Sequence, residues 1–342
     1  MRSWLRTALV AVLGLGLVTL FLWNANLHDV WREVTRARME LLALAVAVTG
    51  LTYLLRAIRW QFLLRPIGHV TLANAFRTTV IGFAASTVLP ARAGEVLRPW
   101  LLARKEGLSA TSAFATVILE RVLDTVTVLG LFAVFLLVAD PQATSGDPAA
   151  LSRLKVGGAG AAAVSVAVLV VMFVLAGHPG TLSRIEALFH AVLPVRLAAM
   201  ADRFTRTFAD GLAIVRQPVR LAGALLLSVP LWLSIAGGIF LVTRAFSIEM
   251  PYIGAFLLMA LLVVGVAVPT PGAVGGFHYF YRLGATAFFG ATNDRAIGAA
   301  IVLHAVSFGP VTLAGLLFLA QEGLSLSGVT TLVRSSRAEE AA

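Results

Sequence analysis

The sequence contains no cysteine and few charged residues. Among its 342 residues, Asp, Glu, Lys and Arg together make up 13%. The absence of cysteine excludes disulfides, thiolate metal sites and cysteine nucleophiles. An HExxH motif, a nucleotide-binding phosphate loop and a recognisable nucleophile motif are also missing. We therefore predict no cofactor, no metal site and no enzyme, although buried acids could still do acid/base chemistry.

Long apolar runs make up most of the sequence. Hydrophobic residues make up 59% of the chain, the mean hydropathy is +0.90, and windows of about 20 apolar residues recur along most of its length. The formal net charge is +10, but the basic residues flank apolar runs instead of forming one stripe with interleaved aromatic residues. This distribution predicts a polytopic membrane protein and argues against nucleic-acid binding.

The apolar runs predict an all-α integral membrane protein with about six full spans. The first is an uncleaved N-terminal helix that ends near Trp23, and the others lie near 41–64, 111–138, 156–176, 220–243 and 296–320. Two further runs, 72–90 and 252–269, lead into VLPARAGE and VPTPGAVGG, where proline and glycine should break the helix at membrane depth. We predict that 72–103 and 252–291 are re-entrant hairpins, in a membrane domain of residues 1–322 followed by a tail at 323–342.

The basic residues predict the orientation in the membrane. With both hairpins re-entrant, 15 basic residues, including Arg98, fall on one side and 7 on the other. Both termini are therefore predicted to be cytoplasmic, in a prokaryotic plasma membrane. Residues 178–219 place Leu182, Ile185 and Phe189 at helical spacing between arginines, which predicts a cytoplasmic amphipathic segment.

The two predicted breaks have similar sequences. Pro90 and Gly94 frame the first, and Pro271 and Gly275 frame the second, each as P-x-x-x-G, with Gly272 inside the second. Paired, interrupted hydrophobic segments in two halves of a chain point to a transporter site at an inverted-repeat interface. P-x-x-x-G is also a common pattern in membrane helices, so coincidence stays open.

Charged residues inside apolar runs are the candidates for a functional site, because charge at membrane depth is costly. Five are basic and three are acidic: Arg56, Arg59, Arg92, Arg121 and Arg282 against Glu95, Glu120 and Asp124. The positive excess favours an anionic guest, and a broken loop that carries an arginine could hold a phosphate. Two alternatives stay open: an ion-pair lock between Glu120, Arg121 and Asp124, and snorkelling of Arg56 and Arg59.

Two histidines lie near the second break. His278 follows it and His304 lies within the last predicted span. Lone histidines in helix bundles are more often packing residues, although two near one cavity could also bind a ligand or carry a proton. A metal would need a third ligand, and none has a recognisable spacing.

These motifs resemble a known family. R-x-x-R-W at 56–60, LP-x-R-x-GE-x-x-R at 89–98, AT-x-x-x-ER-x-x-D at 115–124 and P-x-PG-x-x-G at 269–275 resemble the lysylphosphatidylglycerol synthase transmembrane family of flippase-like membrane proteins. The resemblance implies an all-helical domain with re-entrant elements that moves lipids or lipid-linked headgroups. Family members commonly carry a glutamate in place of His278 and an arginine in place of His304. The sequence also ends at residue 342 without a soluble lysine-transferring domain, so we expect no lysylphosphatidylglycerol synthesis.

The resulting hypothesis is a lipid flippase for an anionic lipid: an aminoacylated phospholipid, a polyprenyl-phosphate sugar or another glycolipid. Arg92 and Arg98 would contact phosphate. Glu95, Glu120 and Asp124 would orient the arginines or bind an amino or sugar group, and the polar path would be completed by Arg56, Arg59 and Arg121. The alternative is a membrane accessory subunit that presents a lipid to a glycosyltransferase partner, and a homodimer stays open.

Overall fold

The chain folds as a bundle of helices. The computed structural model describes residues 15–89, 92–138, 194–268 and 270–323, with a few isolated residues between 156 and 167. Within these ranges, all regular secondary structure is helical, as the sequence predicts. The helices run in the order α1 (Leu27–Arg36), α2 (Met39–Leu64), α3 (Leu72–Val88), α4 (Gly94–Glu106), α5 (Ala110–Val138), α6 (Val195–Gly211), α7 (Pro218–Ala245), α8 (Gly254–Ala267), α9 (Gly276–Phe289) and α10 (Asn293–Gln321).

Four helices are long and apolar enough to cross a membrane. These are α2, α5, α7 and α10, with 26 to 29 residues each. At 1.5 Å per residue they measure about 39 to 44 Å, more than the roughly 30 Å hydrocarbon core of a bilayer. They coincide with the spans predicted at 41–64, 111–138, 220–243 and 296–320. The spans predicted near the N-terminus and at 156–176 and the tail at 323–342 lie largely outside the described residues, as does the part of the segment 178–219 before residue 194.

Two pairs of shorter helices form antiparallel hairpins. In the first hairpin (α3 and α4), the Glu106 carboxylate accepts hydrogen bonds from Thr71 and Asn74 at the open end. In the second hairpin (α8 and α9), Gly254 packs on Phe289 at the open end. These helices have 13 to 17 residues, or about 20 to 26 Å, which is too short to cross a bilayer.

Backbone conformations explain the turns that close the hairpins. In the first turn Arg92 has φ +51°, and in the second turn Gly272 and Gly275 have φ +60° and +91°. Glycine adopts positive φ angles without steric cost. The helices of the first hairpin approach so closely that a Cβ on Gly94 would lie 1.7 Å from the Gly82 carbonyl oxygen. Pro90, predicted to frame the first break, lies outside the described residues, while Pro271 begins the short 3₁₀ turn Pro271–Ala273 of the second.

Helix α10 places the two turns against each other. The first hairpin packs along its C-terminal half, where the Arg77 guanidinium donates to the Gln321 side chain. The second hairpin packs along its N-terminal half, where Arg282 donates to Asn293. The hairpins therefore approach from opposite ends of α10, and their turns meet near its middle, where the His304 ring and the Gly272 carbonyl are 2.7 Å apart.

Two of the three apolar clusters among the described residues contain most of the buried core. The larger is formed mainly by α7, α8, α9 and α10 and includes the fully buried Tyr281. The other surrounds the fully buried Trp60 between α2 and α5. Polar side chains that lie between these clusters are therefore held in an apolar surrounding.

Candidate functional site

A buried carboxylate, Glu120 on α5, is the centre of a network of arginines. Its oxygens accept two hydrogen bonds from Arg98, at 3.0 and 3.2 Å, and one from Arg121 at 2.8 Å. Nitrogens of Arg56 and Arg59 on α2 lie 3.4 and 3.6 Å from Oε1. Because Glu120 is fully buried, it contacts no solvent that could replace these partners.

Asp124 lies one helical turn further along α5 on the same face. Its Oδ1 is 2.6 Å from an Arg59 nitrogen and accepts a hydrogen bond from the Trp232 indole at 2.9 Å. Its Oδ2 is 3.6 Å from nitrogens of both Arg56 and Arg121, yet has no hydrogen-bond partner among the described residues. Oδ2 is therefore held by ion pairs alone, without a hydrogen bond of its own.

The network is supported by neutral side chains. The Trp60 ring lies 3.7 Å from the Arg98 guanidinium carbon, and the Phe83 ring lies 4.8 Å from that of Arg56, so aromatic faces replace part of the lost hydration. Arg59 donates to the Ser228 hydroxyl at 2.8 Å. Trp60 was noted only as part of the R-x-x-R-W motif, and Trp232 and Ser228 were not predicted, since a tryptophan or serine in an apolar run has no periodic signal that reveals its partner.

Their contacts place two further arginines. Arg98, which the charge count assigned to the cytoplasmic side and which was also predicted to contact phosphate, is 2% exposed and paired with Glu120. Its guanidinium is therefore held in an internal ion pair. Arg282, counted among the charges inside apolar runs, donates to the Trp23 carbonyl and Asn293 at the open end of the second hairpin.

Arg92 lies where the two hairpin turns meet. Its guanidinium donates to the Val266 carbonyl of the second hairpin and lies 3.7 Å from Glu95, and both side chains are more than a third exposed. With Arg92 and Glu95 included, the site holds five arginines and three carboxylates, a formal excess of two positive charges. The predicted residues Arg56, Arg59, Arg92, Glu95, Arg98, Glu120, Arg121 and Asp124 are thus brought into one region.

A cavity of about 380 Å³ opens beside this network. One part of its wall is polar and includes Arg56, Arg92, Arg121 and Asp124. The rest is largely apolar and is formed by Val128, Ile235, Ile239, Met259, Leu262, Val263, Val266, Leu303, Val306 and Phe308. A second cavity, of about 110 Å³, lies between the hairpin turns and is also lined by Arg92 and Arg121. The larger cavity therefore has a cationic wall and an apolar wall, which suit the headgroup and the chain of an anionic amphiphile.

The two histidines form a separate pair. Their rings stack with centroids 4.6 Å apart, and His278 also lies 5.0 Å from the Phe21 ring. Neither is among the residues that line the two cavities. Within the described ranges, no group of three or more His, Cys, Asp or Glu side chains is placed to hold a metal ion. His304 thus contacts the second hairpin turn at the Gly272 carbonyl, His278 packs against His304, and a substrate role for either stays a prediction.

Comparison with known proteins agrees with this architecture. A family model described as the lysylphosphatidylglycerol synthase TM region matches residues 4–315. A UPF0104 membrane protein of Pyrococcus horikoshii is 22% identical over 93% of this chain and 98% of its own length. Glycosyltransferase AglD of Haloferax volcanii is 31% identical over 37% of this chain, and the match spans only 20% of AglD. Since the family model covers nearly the whole sequence, this multi-pass membrane protein belongs to the lysylphosphatidylglycerol synthase transmembrane family.

Proposed function

We propose that the protein is a flippase that moves an anionic lipid across a prokaryotic plasma membrane, without a chemical step. The observation that carries the proposal is the 380 Å³ cavity with arginines at one part and an apolar wall at the other. Arginine binds phosphate with charge-assisted, often bidentate hydrogen bonds. The apolar wall suits the acyl or prenyl chain that follows the headgroup.

The internal ion pairs give each arginine a role in this proposal. Arg59 and Arg98 are fully or almost fully buried and committed to Asp124 and Glu120, so they position the carboxylates. Arg56, Arg92 and Arg121 line the cavity and would contact the phosphate. Because the carboxylates neutralise only part of the arginine charge, the site keeps a positive potential that attracts the anion.

The two hairpins are the elements that would move during translocation. We infer that both are re-entrant, from opposite membrane faces, so that their turns meet near the bilayer centre. Transporters built on inverted repeats place the substrate between such broken helices and rock one half against the other. The contact from Arg92 to Val266 would then form part of the gate between the halves.

Thiol labelling tests this topology. A cysteine introduced at Gly107, beyond the open end of the first hairpin, should be protected from an impermeant thiol reagent in intact cells, since both termini are proposed to be cytoplasmic. A cysteine at Ser145 should be labelled. The native chain has no cysteine to confuse the result. Labelling at Gly107 with protection at Ser145 would contradict the proposed orientation.

A second candidate function is a membrane accessory subunit that presents a lipid to a glycosyltransferase. The local similarity to a protein named glycosyltransferase AglD favours it. The two functions differ in vesicles that contain this protein alone. A flippase should accelerate the exchange of a fluorescent anionic lipid between leaflets over protein-free vesicles, measured by quenching with dithionite. An accessory subunit should retain lipid on purification, as mass spectrometry would detect, yet leave that exchange unchanged.

A further inference from the structure

Helix α1 lies across one end of the helix bundle. Just before it, the Asn26 N–H donates to the Asp294 carboxylate at the start of α10, at 3.0 Å. Just after it, the Arg38 N–H donates to the Ala245 carbonyl at the end of α7, also at 3.0 Å. With 10 residues, α1 is about 15 Å long, whereas α7 and α10 each exceed about 40 Å. Both contacted helix ends therefore lie at the same end of the bundle, where two candidate membrane spans stop.

Two sectors of α1 are accounted for by packing and by water. One sector packs on α10, where Val30 is 6% exposed and Glu33 pairs with Arg295 at 3.0 Å. The polar sector lies on another face and includes His28 and Arg32, four positions apart, whose side chains are 84% and 49% exposed. These two sectors are those of an ordinary surface helix.

A third sector is apolar and has no partner among the described residues. Leu27 and Trp31 share one face of α1, four positions apart, and are 67% and 68% exposed. Just before the helix, Trp23 is 62% exposed and completes this apolar patch. Single exposed apolar side chains are common, but three large ones close together indicate an interaction surface. Tryptophan is enriched where a membrane meets water, because its ring is apolar and its N–H is polar.

Lipid suits the apolar patch better than a second copy of the chain does. Its three side chains could bury no more than about 600 Å² together, whereas a stable protein interface buries about 800 Å² on each partner. A membrane surface needs only an apolar face on one side of a helix and a polar face in water. Helix α1 has both faces and lies at the end of two spanning helices, which is the depth of the lipid headgroups.

We propose that α1 is an interfacial helix that lies in the plane of the membrane surface, with Leu27 and Trp31 inserted among the lipids and the polar sector in water. This inference goes beyond the proposed function, because it concerns where the chain contacts the bilayer and not which lipid is moved. The Trp23 carbonyl accepts a hydrogen bond from Arg282 of α9 at 3.2 Å. The interfacial segment thus also holds the open end of the second hairpin at this surface.

Spin labels on single cysteines test the position of each face. The chain has no native cysteine, so Leu27→Cys and Trp31→Cys probe the apolar patch, while His28→Cys and Thr35→Cys, at exposed positions of the same helix, are matched controls. In vesicles of phosphatidylglycerol and phosphatidylcholine, oxygen concentrates in the lipid and a nickel chelate stays in water. We expect the ratio of collisions with oxygen to collisions with the chelate to be severalfold higher at residues 27 and 31 than at residues 28 and 35, because an interfacial helix buries only its apolar face.

Hydroxyl-radical footprinting of the native chain in the same vesicles decides if a cysteine variant does not fold. Oxidation of Trp31 should be severalfold slower than in the chain extracted and unfolded in urea, although the fold itself leaves this side chain 68% exposed. Oxidation of His28, whose side chain is 84% exposed, should change little. Equal oxidation of Trp31 in the two states would overturn its insertion into lipid.

Other results of the spin-label measurement overturn the inference in defined ways. An equal ratio at all four positions would place α1 wholly in water or wholly in lipid, and not at the interface. Few collisions with either reagent at residues 27 and 31 would mean that a protein surface, such as a second copy of the chain, covers the apolar patch. None of these results changes the lipid exchange measured with dithionite, so the proposed function stands or fails separately.

Discussion

Removal of the negative charge at Glu120 should strongly destabilise the protein. In Glu120→Gln the side chain keeps its shape, but the buried network changes from four arginines against two carboxylates to four against one. Asp124 still faces Arg56, Arg59 and Arg121. Among the described residues, Arg98 has no other carboxylate partner, and it is only 2% exposed.

The expected loss follows from this unpaired arginine. Breaking a buried ion pair by removal of one partner costs about 3 to 5 kcal/mol, because the remaining charge keeps its desolvation penalty. The double variant Glu120→Gln with Arg98→Met restores the original excess of two positive charges and replaces the arginine with an apolar chain against Trp60. It should recover stability to within about 2 kcal/mol of the native protein, since replacement of both partners is often close to neutral.

Reversible unfolding in mixed micelles with rising sodium dodecyl sulfate, followed by tryptophan fluorescence, would measure these free energies. Glu95→Gln is the matched control, because the Glu95 side chain is 37% exposed and lies 3.7 Å from Arg92, so it should cost less than about 1 kcal/mol. A loss below about 1 kcal/mol for Glu120→Gln would refute the view that this carboxylate holds the arginines in place.

Two further predictions address the hairpin turns. Gly94→Ala should greatly reduce the folded yield, because its Cβ would lie 1.7 Å from a backbone oxygen, whereas Gly130→Ala, with no atom within 4 Å of the added Cβ, should fold normally; size-exclusion profiles in detergent would compare them. Transport should change only as the pH falls below about 6.5, the ordinary midpoint of histidine, because charging both stacked rings of His278 and His304 would place two like charges beside the second turn. Replacement of both by glutamine should flatten that profile, and an unchanged profile would leave the histidines as packing residues.

Much of the fold could be predicted from the sequence because apolar length is a direct signal. Runs of more than 20 apolar residues locate α2, α5, α7 and α10, and proline with glycine locates the two helix breaks. The depth of a residue within a hairpin is not encoded in this way. The charge count placed Arg98 on the cytoplasmic side, but its burial against Glu120 depends on how α4 packs in the bundle, which a charge count does not contain.

The charged members of the site were predictable for the same physical reason that they are rare. A charge in an apolar run needs a partner, and Glu120 and Asp124 share a helix face with Arg121 between them. Their partners on other helices could not be assigned, because Trp232 and Ser228 are more than 100 positions away and become neighbours only through packing of α7. The separation of His278 and His304 from the cavities likewise depends on tertiary structure.

The proposed function depends most on Arg92, the arginine at the meeting point of the hairpins, which would bind the lipid that is moved. The most direct measurement compares Arg92→Ala with Arg244→Ala, a matched control whose side chain is similarly exposed but pairs with Glu249, in vesicles with a fluorescent phosphatidylglycerol. We expect Arg92→Ala to remain folded, as judged by its size-exclusion profile, and to translocate lipid at least about tenfold more slowly, since a charged hydrogen bond to phosphate is lost. Arg244→Ala should match the native rate. Translocation at the native rate by folded Arg92→Ala would contradict this role for Arg92.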